Sequence, residues 1–254
     1  MGLLRTVLER VSRNRILKRR LPANLGNGII FVSPDAALSF WKPRLTSDLF
    51  DFAREFVKPG DTVWDIGANV GLFSRAAAYC AGSSGKVIAI EADMWLVSLL
   101  RRTSAAVDPS AAPIEVLPVA IFDQCGIASF NIAKRGRASN FLASEAGQSQ
   151  TGGIRETVQV MTISLDWLLQ QGSRPAVVKV DVEGAELDVF RGAERLLSDV
   201  RPVILCEVQD AARDGITALF KRHRYDFYDW DSHPRVSTAR AAYNMLAIPA
   251  KPAS

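Results

Sequence analysis

The chain has 254 residues, 48 % hydrophobic and 23 % charged, with a formal net charge of +4; this is the composition of a soluble globular protein, long enough for one α/β domain and at most a small appendage. No run approaches about 18 uninterrupted apolar residues, and charges recur from Arg5 to Arg20, so neither a membrane span nor a secretory leader is expected and the cytoplasm is the expected compartment. Residues 1–20 hold seven Lys and Arg against Glu9, a local balance of +6 that leaves the other 234 residues near −2, so the main domain is not expected to present a nucleic-acid-binding face.

Residues 1–24 form a basic amphipathic segment in which Leu3, Leu4, Val7, Leu8 and Val11 share one helical face until Pro22 stops the pattern. One reading is peripheral membrane contact through residues 1–20 on an anionic surface. The other is a helix packed on the domain or on a twin subunit with its charges solvated. Met1, Gly2 and Thr6 also fit the myristoylation pattern, which is short enough to arise by coincidence. Residues 25–60 form a lead-in segment, with a hairpin expected around Pro34 and Asp35 (31–32 against 38–41), Trp41 expected in the core, and a short helix over 49–56. Cys80, Cys125 and Cys206 are scattered without metal-ligand spacing, so buried reduced thiols are expected.

From residue 61 strand and helix patterns alternate, the mark of a parallel sheet covered on both faces. Strands are expected at 61–67, 86–91, 114–120, 176–181, 202–208 and 225–229, with helices at 70–81, 93–106, 164–171, 185–198 and 210–223. A last strand at 243–248 has no room for a crossover helix, so it should run antiparallel. Residues 62–74, TVWDIGANVGLFS, make the most informative stretch: a buried strand, then Gly67 and Gly71 around a tight turn into a helix. Asp65 is an acid in an apolar strand, costly to bury without a partner. No Lys or Arg lies in the turn, which points to a ligand carrying its own positive charge, such as an amino-acid ammonium. A dinucleotide site is the competitor, but Asn69 stands where its middle glycine is needed. Glu91, twenty residues past Gly71, ends the next strand at the offset at which a carboxylate meets ribose hydroxyls.

An insertion at about 122–163 interrupts the rhythm, with strands expected at 127–133 and 157–163 around the polar loop 134–153. That loop leaves the same sheet edge as the Asp65 turn, either as a lid or as a floppy excursion. Further on, residues 176–186, AVVKVDVEGAE, place Asp181 and Glu183 at the ligand-facing edge, with Lys179 two residues before Asp181 on the same face and Glu186 in a helix-capping position.

VWDIGANVGLFS, the acid in VIAIEAD, VAIFDQCG, VVKVDVEGAELDVFRGAERLL, ILCEV and the terminal NMLAIP, over roughly 60–250, resemble the FkbM family of S-adenosylmethionine-dependent methyltransferases. The resemblance implies a doubly wound, Rossmann-like class I methyltransferase sheet of seven strands, order 3-2-1-4-5-7-6 with strand 7 antiparallel, over a domain at 61–250. It implies that Asp65, Gly67, Ala68, Asn69 and Gly71 hold the methionine end of S-adenosyl-L-methionine and that Glu91 takes the ribose. Ala120 to Asp123 would line the adenine, and Asp181 would sit near the methyl group. The expected reaction is O-methylation of a hydroxyl on a glycan, glycolipid or polyketide-like molecule. Family members often have Glu-Pro after strand two, where this chain has Glu91-Ala92.

A hydroxyl acceptor is helped by a base, and only residues past strand carboxyl ends can reach the methyl. Glu183 is the first candidate and His233, in the loop after strand six, the second; His223 falls at the opposite edge, where exposure is expected. Asp181 and Glu207 could ligate a hard cation, but with no third ligand in view no metal is expected. Arg135, Arg137 and Arg155 suggest an anionic acceptor or simply solvate the loop. The alternatives are an NAD-dependent oxidoreductase and a non-catalytic protein retaining the fold.

Overall fold

The computed structural model describes residues 2–106, 108–142 and 152–251. Helix α1 (Gly2–Ser12) precedes an antiparallel hairpin of β1 (Leu17–Arg20) and β2 (Ile29–Val32), with Leu17 opposite Val32 and Arg20 opposite Ile29. The hairpin expected around Pro34 and Asp35 is therefore replaced, because residues 29–32 pair backwards across the expected boundary at residue 24. The reversal sits at 22–27, where Leu25 N–H donates to Pro22 O and Asn27 takes a left-handed φ of 53°. After Ser33 the chain instead makes a helical turn, Ala36 N–H to Ser33 O at 3.0 Å, and Leu38–Trp41 is a single 3₁₀ turn.

Helix α2 (Leu49–Phe56) leads into β3 (Thr62–Ile66), α3 (Leu72–Ala81), β4 (Lys86–Ile90), α4 (Met94–Ala105) and β5 (Ile114–Leu117). The insertion follows as β6 (Ala120–Ile121), β7 (Gly126–Ala133), β8 (Phe141–Leu142) and β9 (Ile154–Ile163), a separate sheet in the order β6-β9-β7-β8. Then come α5 (Leu165–Gln170), β10 (Val177–Val180), α6 (Glu186–Arg191), β11 (Val203–Glu207), α7 (Arg213–Arg222), β12 (Tyr225–Asp229), β13 (Val236–Thr238) and β14 (Asn244–Pro249). The main sheet runs β13-β12-β14-β11-β10-β3-β4-β5, with β14 antiparallel to both neighbours. This is the expected class I order with one addition: β13 pairs with the outer edge of β12, making eight strands among the described residues.

Strand alternation builds two cores. Val63, Val87 and Val177 face one side with Phe52 of α2, Phe73 of α3 and Leu99 of α4. Trp64, Ile88, Val178 and Ile204 face the other, with Leu165 of α5, Phe190 of α6 and Phe220 of α7. Asp65 and Lys179 are each two residues from a valine of the first face, and they are register partners across β3 and β10.

Two expected elements end early for physical reasons. The third sheet strand stops at Leu117 because Pro118 has no N–H for the ladder, and Ala120–Ile121 pairs with β9 instead. The helix expected over 185–198 stops at Arg191 and the chain rewinds as a π turn over Leu196–Val200. Asp166 sets that second start, accepting Arg195 N–H and Leu196 N–H at 2.9 Å each. Of the cysteines only Cys206 is buried, and Cys125 is exposed. No helix among the described residues is long and apolar enough to cross a membrane.

Candidate functional site

The parallel strands β3, β4, β5, β10 and β11 release their chain ends at one edge, and the strand order reverses between β3 and β10, where doubly wound folds open a crevice. A cleft of about 150 Å³ lies there. Its floor is Ile66, Gly67 and Asn69 after β3, then Ile90, Glu91 and Ala92 after β4. Asp181, Val182, Glu183, Ala185 and Glu207 close one end, and Val119, Ala120 and Ile121 the other. The insertion supplies a wall through Phe130, Arg137, Ala138, Asn140 and Leu142.

The turn after β3 is held from inside the protein. Asp65 is fully buried; its Oδ2 accepts the Ser74 hydroxyl at 2.5 Å, and its Oδ1 lies 3.4 Å from Lys179 Nζ. The cation opposite Asp65 is thus Lys179 on the neighbouring strand, not a ligand, which corrects the electrostatic reason for expecting one there. Lys179 Nζ also reaches Asp181 Oδ2 at 3.4 Å and donates to Gly67 O at 2.8 Å. Burial pulls the ammonium down, but Asp181 and Asp65 outweigh it and hold the group up at about 12. Gly67 is required by packing against backbone and Gly71 by its left-handed conformation. A Cβ on Gly67 (φ 69°) would lie 1.8 Å from Asp181 O, and one on Gly71 (φ 86°) 2.5 Å from Leu100 Cδ1. Asp65, Ala68 and Gly71 therefore stand behind the cleft, while Gly67 and Asn69 line it. Asn69 Oδ1 is buried without a hydrogen-bond partner, as is expected of a group awaiting a ligand.

Glu91 is nearly buried and fixed through both oxygens: Oε2 accepts Asn69 N–H and Oε1 accepts Asp93 N–H, each at 2.8 Å. Burial pushes its carboxyl up to about 7. Asp93 in turn caps α4 at Trp95 N–H and accepts Arg137 Nη1 at 2.5 Å and Asn140 Nδ2 at 2.8 Å. Arg137 also approaches Asp35 at 3.4 Å, and Arg155 grips Asp35 with two bonds of 3.1 and 2.8 Å. Burial raises the Asp35 carboxyl, yet Arg155 and Arg137 together hold it below its usual value. Arg155 is thus occupied in docking the insertion onto the lead-in segment, Arg137 does so while lining the cleft, and Arg135 is exposed. The middle of the loop, residues 143–151, lies outside the described residues.

The turn after β10 is the acidic end. Carboxylate oxygens of Asp181, Glu183 and Glu207 lie within 4.8 Å of one another. Glu183 therefore joins the Asp181–Glu207 pair as the third acid that spacing alone did not supply. Glu183 sits in the left-handed region at φ 56°, at a cost on the order of 1–3 kcal/mol for a residue with a long side chain. Burial, then Asp181, Glu207 and Glu186, push its carboxyl up to about 8. Glu186 opens α6 and turns back to accept Gly184 N–H of the preceding turn at 2.7 Å; its Oε2 is buried and unpartnered, and burial pushes the group up to about 7. Glu207 is also raised, chiefly by burial, and accepts the Tyr243 hydroxyl.

Two expected residues fall elsewhere. Asp123 is exposed and absent from the cleft, because the chain turns away after Ile121; Ala120 is the member of that segment that lines it. His233 is exposed, its Nδ1 3.3 Å from Asp231 O, and does not line the cleft. The cause is strand order: β14 lies between β11 and β12, so the loop after β12 emerges two strands from Glu207. His223, expected to be exposed, is instead largely covered and meets Glu194 at 3.0 Å. The residues not foreseen, Phe130, Asn140 and Leu142, come from the insertion, whose only signal was the sheet edge it leaves from.

A family model described as Methyltransferase FkbM domain matches residues 65–232. The chain is 30 % identical over 164 residues to the hexuronic acid methyltransferase AglP of Haloferax volcanii, covering 64 % of this chain and 62 % of that protein, so it spans less than two thirds of the relative. Among solved structures it is similar to methyltransferase FkbM from Methylobacillus flagellatus KT (TM-score 0.48, 15 % identity, 78 % of this chain and 50 % of that one). It is also similar to a SAM-dependent O-methyltransferase from Thermotoga maritima (TM-score 0.40, 12 % identity, 85 % and 71 % covered). The family match takes in the β3 turn, Glu91, the whole insertion and the acidic turn after β10, and so the chain belongs to the FkbM methyltransferase family.

Proposed function

We propose that the cleft binds S-adenosyl-L-methionine and that the chain transfers a methyl group to an oxygen of a glycan, glycolipid or polyketide-like acceptor. One observation carries the reading: Asp181, Glu183 and Glu207 crowd the β10–β11 end of a cleft whose floor holds Glu91. Four acids around one crevice favour a positively charged occupant. When bound, S-adenosyl-L-methionine supplies an electrophilic methyl group on a positively charged sulfur, together with an ammonium.

The residues present fit that molecule. Gly67, Asn69 and Asp181 would hold its methionine end, with the unpartnered Asn69 Oδ1 as acceptor. Each oxygen of Glu91 takes one backbone N–H and keeps a lone pair for a ribose hydroxyl. Ala120, Val119, Ile121, Phe130 and Leu142 form an apolar slot suited to adenine. Asp65 acts one step back, by orienting Lys179 and the Ser74 end of α3, with Ala68 and Gly71 packing the same turn. In this reading Glu183 takes the proton of the acceptor hydroxyl, since a carboxyl near 8 is a usable base at neutral pH. An acceptor carboxylate at that end would meet like charges, so a hydroxyl is the favoured nucleophile. The hexuronic acid relative supports an acidic sugar as acceptor, its own charge directed toward Arg137 on the wall.

Thermal shift with S-adenosylhomocysteine and with NAD separates this from an oxidoreductase: stabilisation by the first alone is expected, and stabilisation by NAD alone would reverse the reading. Mass spectrometry of uronic-acid-containing glycans incubated with enzyme and donor should then show a gain equal to one methylene. Donor binding with no methylated product across a broad acceptor panel would favour a non-catalytic protein that keeps the fold.

A further inference from the structure

From Val7 onward helix α1 turns apolar side chains away from the domain. Val7, Leu8 and Val11 are 49, 40 and 45 % exposed, and Ile16 just beyond is 37 % exposed. Positions 7, 8 and 11 share one helical face. Among the described side chains the contact of the helix end with the domain is polar: Ser12 is fully buried, and its hydroxyl accepts Trp41 Nε1–H at 2.9 Å and donates to Leu8 O at 2.7 Å. Arg15 rests over the Trp41 ring at 5.6 Å. A helix that docked here to complete the core would show the opposite arrangement.

We propose that this face seats the chain on an anionic lipid surface. Exposed Arg10 on the helix, with exposed Arg13, Arg15 and Lys18 just past its end, adds basic charge beside the apolar stripe, the combination that inserts at the boundary between headgroups and acyl chains. Charge argues against a second copy as the occupant. Residues 1–20 carry +6, so two such faces brought together would repel. The face is also coupled to the cleft. Trp41 closes the 3₁₀ turn that begins at Leu38, and just before it Asp35 O and Ala36 O accept Arg137 N–H and Ala138 N–H at 3.0 and 3.1 Å. Arg137 and Ala138 line the cleft, so a surface that holds α1 also holds the cleft rim near it. The inference does not depend on which ligand the cleft takes.

The test is co-sedimentation of the full chain with vesicles of phosphatidylcholine alone and of phosphatidylcholine and phosphatidylglycerol in equal parts. Pelleting is expected with the anionic vesicles only, weakening as salt rises. Arg10→Gln and Arg13→Gln should each lower the partition coefficient about fivefold, and Leu8→Gln with Val11→Gln should abolish pelleting. All four positions are exposed, so unfolding temperatures matching the parent would show that the variants remain folded. Equal pelleting with both vesicle types, or unchanged pelleting of the variants, would overturn the proposal. So would a dimer in sedimentation equilibrium that Leu8→Gln with Val11→Gln disperses.

Discussion

The turns after β3 and after β10 are neighbours, joined by register between Asp65 and Lys179, and each places one non-glycine residue in the left-handed region: Asn69 at φ 53° and Glu183 at φ 56°. They are built on opposite principles. The first uses asparagine, which tolerates that conformation, and its acid is compensated by Ser74 and Lys179. The second uses glutamate, which does not, and gathers Asp181, Glu183 and Glu207, with Lys179 as the cation beside Asp181. The Asp65 side of the first turn is a structural joint while Gly67 and Asn69 face the cleft, and in the proposed reading the strained, under-compensated turn beside it is where a cation and a proton-accepting group would sit.

The sharpest way to break this contrast is to remove the acid of the first turn. Asp65→Ala leaves Lys179 buried against Asp181 alone and frees Ser74, so urea unfolding should show a loss of about 3–5 kcal/mol. A loss below about 1 kcal/mol would mean the joint is not held by that pair. Glu183→Gln should do the reverse: stability unchanged, with turnover at saturating donor reduced at least about 100-fold. Its rate should be as insensitive to chelation as the parent's if Glu183 is a base; loss of parental activity in EDTA would make the three acids metal ligands instead. Glu183→Asn relieves both the backbone strain and the charge crowding and should raise stability by about 1 kcal/mol.

Titration sharpens the same contrast. Glu91 and Glu186 are held near 7 when folded against 4.5 when unfolded, so across that interval the folded chain keeps protons that the unfolded chain has released. Their contribution to stability is complete below about 4.5 and is lost as pH rises through about 7; calorimetric unfolding across that range should show the decline. Turnover should move the other way, rising until Glu183 ionises near 8. The smallest effect is expected for His233→Ala, whose turnover should stay within about twofold, since its ring does not line the cleft.

Much of this was readable in the chain. Glycine spacing, Glu91 and the DVEG turn located the correct edge of the sheet, because alternating strand and helix patterns fix which residues emerge together. What sequence hides is lateral distance. Nothing local shows that Lys179 lies opposite Asp65, since that contact depends on β10 pairing with β3 across more than a hundred residues. Strand order likewise separates His233 from Glu207 although both follow carboxyl ends of strands running the same way. The cleft wall from the insertion was illegible for a further reason: Phe130, Asn140 and Leu142 read as ordinary core or loop residues, and contacts distant in sequence fix the second sheet over the site, among them the bonds that Arg137, Asn140 and Arg155 donate to Asp93 and Asp35.

The most direct test of the central claim is calorimetric titration of S-adenosyl-L-methionine at a pH of about 7.5, in two buffers of different ionisation enthalpy. A cation entering beside Asp181, Glu183 and Glu207 should expel protons, so the account predicts saturable binding whose heat differs between the buffers by a net proton release, diminished in Glu183→Gln. Binding with no buffer dependence, or no binding at all, would contradict it.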